Sequence, residues 1–193
     1  MRRRDEYGKL TGLLSSWLEH LRLRQALKHI PHGCSILEIG CGRAEVLRFR
    51  QPARYVGLDI IPELIDRNRS RYPRYDFALV NVEKQDMVLL GKFDVVLMLA
   101  VIEHFAKPEQ VLKKVKGLLA AGGLIIATTP HPSGECVLQV GSRLGLCSSE
   151  SLKEHHSLLA REELHRLAGR CGFRVSLYRT FLLGLNQLAI LRE

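Results

Sequence analysis

The chain has 193 residues, of which 46% are hydrophobic, and it carries a formal net charge of +9. This length and composition predict one globular domain with a single substantial core. No apolar run approaches the roughly 20 residues of a membrane-spanning helix, and the first arginines lead into mixed polar residues, so we expect neither a membrane span nor a signal peptide.

The cysteines indicate the cellular compartment of the protein, and the positive charge limits the classes of partner that it can bind. The number of cysteines is odd and no Cys-x-x-Cys pair occurs among them: Cys34, Cys41, Cys136, Cys147 and Cys171. This pattern predicts reduced thiols in a cytoplasmic protein, with neither a disulfide framework nor a zinc site. The charge admits an acidic small molecule, nucleic acid or an anionic membrane surface as a partner, although a solvated surface would carry the same charge.

The first 33 residues predict a helical cap. Between about Leu10 and Ile30, apolar residues recur at helical spacing, which indicates an amphipathic helix or a helix pair. A Pro-His-Gly triplet then ends it.

The stretch from Ser35 to Asp59 predicts a strand, a glycine turn, a helix and a second strand with an acid at its tip. Gly40 and Gly42 lack a Cβ, so the backbone can turn sharply beside a ligand. We expect the helix that follows to present free N–H groups toward that ligand. Asp59 stands where a carboxylate accepts hydrogen bonds from ribose hydroxyls. A nucleoside is therefore the predicted ligand.

Two further acids decide which kind of nucleoside fits. Glu45 occupies the position at which a dinucleotide site has Gly or Ala, and this disfavours an NAD(P)-linked enzyme. Glu38 lies inside the first strand, where it would repel a pyrophosphate and attract a cation. The predicted ligand is therefore positively charged and lacks phosphates.

At this point two motifs resemble those of a known family. Leu37 to Gly42 resembles the acid-x-Gly-x-Gly-x-Gly motif of class I S-adenosylmethionine-dependent methyltransferases, with Ala44 in place of the last Gly. The run Phe-Asp-Val-Val that starts at Phe93, followed by Glu103-His104, is similar to the fourth motif of small-molecule methyltransferases of the quinone-biosynthesis kind. The resemblance implies S-adenosylmethionine as cofactor and S-adenosylhomocysteine as product. It also implies an α/β, Rossmann-like three-layer sandwich with a seven-stranded, mostly parallel sheet and an antiparallel last strand.

The later segments fit that layout. Residues 34–130 are predicted as the cofactor-binding core, residues 131–159 as a partly helical substrate cap, and residues 160–193 as a last helix and a β-hairpin. The individual elements predicted after the first unit are a helix from Ile61 to Tyr72, strands at Tyr75–Val82, Phe93–Leu99 and Leu124–Pro130, a helix from Pro108 to Leu119, a helix at Arg161–Cys171, and a hairpin of Phe173–Phe181 and Leu185–Leu191.

The resemblance also implies which residues contact the cofactor. Glu38 and the Gly40 backbone address the amino-acid end, Asp59 holds the ribose, and Ile60 packs on the adenine. Asn81 matches the position of an acid that meets the adenine amino group, and its amide oxygen can still accept a hydrogen bond there. The full set is Glu38, Gly40, Cys41, Gly42, Asp59, Ile60, Asn81, Val82 and Ala100.

An oxygen acceptor would require a base, and a neutral His with a reference pKa of about 6.5 suits that task. His104 is the first candidate, because its loop faces the pocket in the family. His131, His155 and His156 are the others, and each could instead be a loop residue that bonds a backbone carbonyl. Adjacent histidines on an extended segment point to opposite faces, so we predict no metal.

Other functions stay open at this stage. RNA or protein methylation fits the charge, but the chain lacks the aromatic-basic interleaving of single-stranded RNA platforms, so a small-molecule acceptor is preferred. A non-catalytic scaffold that binds S-adenosylmethionine would show substitutions such as Ala44 and Asn81, whereas Glu38 and Asp59 argue against decay. The sequence specifies neither the acceptor atom nor the oligomeric state.

Overall fold

The computed structural model describes residues 3–4, 10–11, 13–132 and 159–193. The segment predicted as a substrate cap, residues 131–159, therefore lies almost entirely outside the described residues.

The described residues contain nine strands and four α-helices. The strands are β1 (Arg3–Arg4), β2 (Leu10–Thr11), β3 (Ser35–Ile39), β4 (Arg54–Asp59), β5 (Asp76–Leu79), β6 (Phe93–Leu99), β7 (Leu119–Pro130), β8 (Arg174–Phe181) and β9 (Asn186–Arg192). The α-helices are α1 (Leu13–Leu27), α2 (Pro62–Arg71), α3 (Pro108–Lys116) and α4 (Arg161–Arg170).

Seven of these strands form one sheet in the order β5-β4-β3-β6-β7-β9-β8. Strands β5, β4, β3, β6 and β7 pair in parallel, and β9 is antiparallel to both of its neighbours. The predicted mostly parallel sheet with an antiparallel last strand is therefore confirmed. Because the carboxyl ends of the five parallel strands share one edge, the loops that follow them meet there.

Both faces of the sheet are covered. Alternate residues of β6 point to opposite faces: Val96 and Met98 pack in the cluster that contains α3 and α4, and Val95 and Leu97 pack in the cluster that contains α1 and α2. All four side chains are 0% exposed, as expected for a central strand buried on both sides. The three-layer sandwich is confirmed.

Most predicted elements are present with shifted ends. The strand at Phe93–Leu99 and the start of α2 at Pro62 agree with the sequence prediction. β7 begins at Leu119 rather than Leu124, and β5 is limited to Asp76–Leu79. The N-terminal segment has one helix rather than a pair, preceded by the short β1–β2 pairing that the sequence did not predict.

The helix expected after the glycine turn is reduced to one 3₁₀ turn, Glu45–Arg48. Only 14 residues connect β3, which ends at Ile39, to β4, which begins at Arg54. The glycine turn takes up the first three residues of the connection, Gly40 to Gly42. Pro52, which has no N–H to continue a helix, lies two residues before β4. The connection therefore leaves little room for an α-helix once the chain has turned and returned to β4.

Candidate functional site

The glycine turn between β3 and the 3₁₀ segment has two glycines with positive φ, +69° at Gly40 and +50° at Gly42. A Cβ on Gly40 would lie 2.5 Å from Cγ2 of Val101, whereas a Cβ on Gly42 would meet nothing within 4 Å. Gly40 is thus required by close packing against the residue after Ala100. The open side of the turn, where a ligand can approach the backbone, is at Gly42.

The N–H groups of Gly40, Cys41 and Gly42 are all used inside the protein. Gly40 and Cys41 donate to the carbonyl of Leu58 at 2.8 and 2.9 Å, and Gly42 donates to Oδ2 of Asp59 at 2.8 Å. These three bonds fasten the turn to the end of β4. The expectation that the helix start after the turn presents free N–H groups to the ligand concerns later residues and stays a prediction.

Asp59 is the acceptor that fixes this corner of the sheet. Its Oδ1 accepts the N–H groups of Ile60 at 2.8 Å and Ile61 at 3.1 Å, and its Oδ2 accepts that of Gly42. A carboxylate offers about four acceptor positions, so one remains, on Oδ2. Its assignment to a ribose hydroxyl stays a prediction. The carboxylate also orders the turn, which the sequence did not indicate.

Glu38 is buried in β3 with 5% of its surface exposed. The hydroxyl of Tyr55, on β4, donates to Oε2 of Glu38 at 2.5 Å. Burial raises the pKa of Glu38 to about 8, the charges of Asp59 and Glu45 add to the rise, and the Tyr55 hydrogen bond opposes it. The predicted acid is therefore present at the site, but in the ligand-free protein it holds a proton at neutral pH.

Tyr55 is not among the site residues that the sequence predicts. Ile36 pairs with Tyr55 and Glu38 pairs with Gly57 across β3 and β4, so Tyr55 is the diagonal neighbour of Glu38 on the same face. Gly57 has no side chain to separate them. Residue types alone give no signal for this pair, because the register between the two strands decides it.

The sequence analysis also missed Asn68, which lies on α2 and is 1% exposed. Its Nδ2 donates to the carbonyl of Gly42 at 2.7 Å and lies 3.8 Å from Sγ of Cys41. Asn68 follows Leu64 and Ile65 at helical spacing. A polar residue on the apolar face of a helix was the available signal.

The loops after β4 and β5 hold the residues predicted at the adenine. Ile60 is 66% exposed at the end of β4, so its side chain is accessible to a ligand. Oδ1 of Asn81 accepts the N–H of Glu83 at 3.1 Å, which leaves one acceptor position on that oxygen. Nζ of Lys114, on α3, donates to the carbonyls of Val82, Glu83 and Gln85 at 2.9, 3.1 and 2.9 Å. These contacts fix the shape of the loop.

Backbone strain marks the end of β6. Ala100 has φ +57°, a left-handed conformation that costs a non-glycine residue roughly 1 kcal/mol or more, and its N–H donates to the carbonyl of Thr128 at 2.8 Å. Ala44, in the glycine turn, has φ +51° as well. The position that has Gly in the family motif thus keeps a glycine-like backbone here. Such strain is concentrated at functional sites in other proteins.

His104 ends a 3₁₀ turn, Ile102–His104, that follows Ala100. Its side chain is half-buried, and its backbone N–H donates to the carbonyl of Val101 at 3.0 Å. The side chain of His131 is also half-buried, and its backbone N–H donates to the carbonyl of Leu185 at 3.0 Å. The other two candidate bases, His155 and His156, lie outside the described residues.

A buried polar cluster adjoins His104. Among the described residues, Oε2 of Glu103 and Oγ1 of Thr129 are buried without a well-formed hydrogen bond, and the neighbouring Thr129 side chain acts on the Glu103 carboxyl. Oγ1 of Thr128 is also unpaired, but consecutive residues of β7 point to opposite faces of the sheet, so it lies apart from them. Burial raises the pKa of Glu103, and the charge of Arg22 on α1 partly opposes the rise. Nε of Arg22 donates to Oδ1 of Asn186 at 2.7 Å. Because proteins pair nearly all buried polar groups, this cluster is the place at which water or a ligand would complete the hydrogen bonds.

The predicted cofactor residues thus lie around one edge of the sheet, at the carboxyl ends of β3, β4, β5 and β6. Within residues 13–132 and 159–193, no group of three or more His, Cys, Asp or Glu residues is arranged to hold a metal ion. No helix in the described part of the chain is both long and apolar enough to cross a bilayer.

Comparison with known proteins identifies the family. The model of the methyltransferase domain family matches residues 10–177. A probable S-adenosylmethionine-dependent methyltransferase of Mycolicibacterium smegmatis is 31% identical over 119 residues, which are 58% of this chain and 44% of that protein. A ubiquinone biosynthesis O-methyltransferase of Coxiella burnetii is 25% identical over 146 residues, which are 65% of this chain and 62% of the relative. The chain therefore spans about half the length of such relatives.

Solved structures show the same fold at lower sequence identity. The S-adenosylmethionine-dependent methyltransferase of Mesorhizobium loti superposes with a TM-score of 0.70 at 16% identity, covering 91% of this chain and 98% of the other. With the match over residues 10–177, the sheet order and the glycine turn flanked by two acids, this chain belongs to the methyltransferase domain family, class I, whose cofactor is S-adenosylmethionine.

Proposed function

We propose that this chain transfers the methyl group of S-adenosylmethionine to a small-molecule acceptor. The observation that carries the proposal is the pair of acids at the ends of adjacent strands. Glu38 in β3 and Asp59 at the tip of β4 lie on either side of the turn at Gly40–Gly42. A cationic nucleoside fits between them, because each acid can neutralise or hydrogen-bond one end of it.

Each contact residue has a geometric reason for its proposed role. Glu38 would bind the ammonium of the amino-acid end, and the remaining position on Oδ2 of Asp59 would accept from a ribose hydroxyl. Ile60 would pack on the adenine with its exposed side chain. The loop of Asn81 and Val82, held by Lys114, would meet the edge of the ring.

The bound sulfonium supplies an activated methyl group, so the task of the protein is to position the acceptor. Holding the reacting atoms close and in line can provide several kcal/mol of the barrier reduction. Ala100 and the 3₁₀ turn Ile102–His104 follow β6, beside the glycine turn that Val101 contacts. This segment is the proposed floor of the acceptor pocket.

A small polar acceptor is supported by the unpaired groups next to that floor. The oxygens of Glu103 and Thr129 would accept hydrogen bonds from a hydroxyl or amine of the acceptor. For an oxygen acceptor, His104 is the proposed base. Glu103 is a second candidate for this role, because burial raises its pKa toward the range in which a carboxylate takes up a proton efficiently.

Two measurements test the proposal. Isothermal titration of the full chain with S-adenosylmethionine should show binding, and Asp59→Asn should weaken it at least tenfold. Transfer of radiolabelled methyl groups should be detectable with a panel of phenols, catechols and amines. Binding without transfer to that panel or to bulk RNA and protein would favour a non-catalytic scaffold, and transfer to RNA alone would favour the alternative that the charge of +9 admits.

The choice of base has its own test. If His104 takes the proton, His104→Gln should lower kcat by about 10²-fold or more at every pH while leaving cofactor affinity unchanged. Glu103→Gln should then affect acceptor KM more than kcat. The reverse pattern would assign the proton to Glu103.

A further inference from the structure

We infer that the cofactor site takes up its cationic ligand in exchange for the proton of Glu38, and that Tyr55 sets the pH range of this exchange. The inference rests on the proposed function, since it requires the ammonium of the ligand to lie at Glu38. It goes beyond that function by assigning a proton to the binding step and a role to a residue outside the family motifs.

The first step is the geometry of the two side chains. Tyr55 is 1% exposed and Glu38 is 5% exposed, so water has little access to either. The Tyr55 hydroxyl donates to Oε2 of Glu38. Burial and the neighbouring Glu38 carboxyl raise the pKa of Tyr55, so it keeps its proton and stays a donor. With Oε2 engaged by Tyr55, we assign the proton of Glu38 to Oε1 and place the ligand ammonium against that oxygen.

The second step is the charge around Glu38. The groups that act on it are Asp59 at the tip of β4, Glu45 in the 3₁₀ turn, Tyr55 on β4 and the thiol of Cys41 in the glycine turn. None of these four groups carries a positive charge. The carboxyl is therefore held neutral by burial and by two acids, and its pKa of about 8 reflects this.

The third step is what a cation changes. An ammonium group placed against Oε1 favours the carboxylate, so the pKa of Glu38 falls when the ligand binds. The protonated carboxyl and the ligand ammonium give a carboxylate–ammonium pair, and the released proton goes to the buffer. No bond to the ligand forms or breaks in this step.

Linkage gives the pH dependence. Below the pKa of free Glu38, about 8, binding must expel a proton, so the affinity should rise about tenfold per pH unit as the pH rises. Above about pH 8, free Glu38 is already ionised, so the affinity should stop rising, and it should fall once the ammonium of the ligand loses its own proton. The slope also ends at low pH, once the pH falls below the lowered pKa of the bound state.

The direct test is isothermal titration of the full chain with S-adenosylhomocysteine at pH 7, in phosphate and in Tris. These buffers differ in ionisation enthalpy, so the difference in measured heat gives the number of protons released. We expect close to one proton per ligand bound. 5′-Methylthioadenosine, which lacks the amino-acid end, is the matched ligand and should release none. Tight binding of S-adenosylhomocysteine without proton release would overturn the inference.

Two variants show whether Tyr55 acts on the pKa of Glu38 or only on the stability of the fold. Tyr55→Phe removes the hydrogen bond that lowers the pKa of Glu38, so the pH at which the affinity levels off should move upward by a measurable fraction of a unit or more. Glu38→Gln cannot exchange a proton, so its affinity should be lower at pH 8 and independent of pH between 6 and 8. A Tyr55→Phe profile that superposes on the wild-type profile would remove Tyr55 from the inference.

The outcomes also separate this inference from the proposed function. If S-adenosylmethionine and S-adenosylhomocysteine fail to bind the wild-type chain at any pH, the proposed function is wrong. If both bind with an affinity that does not change between pH 6 and 8, only the proton exchange is wrong. The wild-type titrations decide this even if a variant does not fold.

Discussion

At the scale of single residues, Glu38 combines burial with charges of its own sign. A carboxyl whose pKa is about 8 in the folded protein and near its reference value in the unfolded chain destabilises the fold as the pH rises between those two values. In the unfolded chain the group ionises freely above about pH 4.5, whereas in the folded protein it must stay protonated until about pH 8. The penalty is absent at pH 4 and complete above pH 8.

Glu38→Gln should therefore stabilise the ligand-free protein, and more so at high pH. The gain should grow by up to about 1.4 kcal/mol per pH unit across that window. Thermal or urea unfolding of both proteins at pH 5, 7 and 8.5 would measure it. An equal stability difference at all three pH values would show that Glu38 is not held neutral in the fold.

Gly40 and Gly42 provide a matched pair of substitutions in the same turn. Both have positive φ, so Ala at either position costs roughly 1 kcal/mol of backbone strain. Only at Gly40 would the new Cβ also lie 2.5 Å from Val101. Gly40→Ala should therefore lower both stability and S-adenosylmethionine affinity more than Gly42→Ala does. Val101→Ala should restore part of the loss in Gly40→Ala, and no restoration would contradict the packing argument.

At the scale of elements, α3 supports the loop after β5 through one side chain. Lys114 donates to three carbonyls of residues 82–85, whereas the neighbouring Lys113 pairs with Glu109 on the surface. Lys114→Met should leave those carbonyls without their donor and loosen the loop. We expect S-adenosylmethionine affinity to fall about tenfold, and Lys113→Met to leave it unchanged. Equal effects of the two variants would place the loop's support elsewhere.

Contacts between elements also hold the glycine turn in place. In place of a helix, the turn is fastened by the β4 residues Leu58 and Asp59 and by Asn68 of α2. The carboxylate of Asp59 therefore has a structural role besides its proposed ribose contact. A change at Asp59 should therefore alter the turn and the ligand affinity together, because Asn keeps one of the two acceptor oxygens and replaces the other with a donor.

At the scale of the whole molecule, Arg22 joins α1 to β9 on the face of the sheet that α1 covers. Its Nε bonds Asn186 at the start of β9, and its charge acts on the buried carboxyl of Glu103 after β6. Arg22→Met would break the bond and leave Glu103 without this cation. We expect a loss of about 2 kcal/mol in the free energy of unfolding and faster hydrogen exchange in residues 13–27. Arg24→Met, on an exposed position of the same helix, is the control, and equal exchange in both variants would contradict this role.

The sequence by itself determined most elements, and its resemblance to a known family gave the fold class. It also predicted the edge of the sheet at which the candidate site lies. These features depend on local information: apolar runs such as Phe93–Leu99, the glycines of one turn, and acids at the ends of strands. Such patterns act within a few residues along the chain, so they are readable without coordinates. The position of Asp59 at the tip of β4 is the clearest case.

Only the tertiary structure decided how the site residues are paired. Tyr55 meets Glu38 and Asn68 meets Gly42 across 17 and 26 residues of sequence, and Arg22 meets Asn186 across 164. Strand register and helix placement bring these groups together, and they also decide which N–H groups are left for a ligand. The protonation of Glu38 follows in the same way, because the pKa of a carboxyl depends on burial and neighbouring charges that exist only in the folded chain.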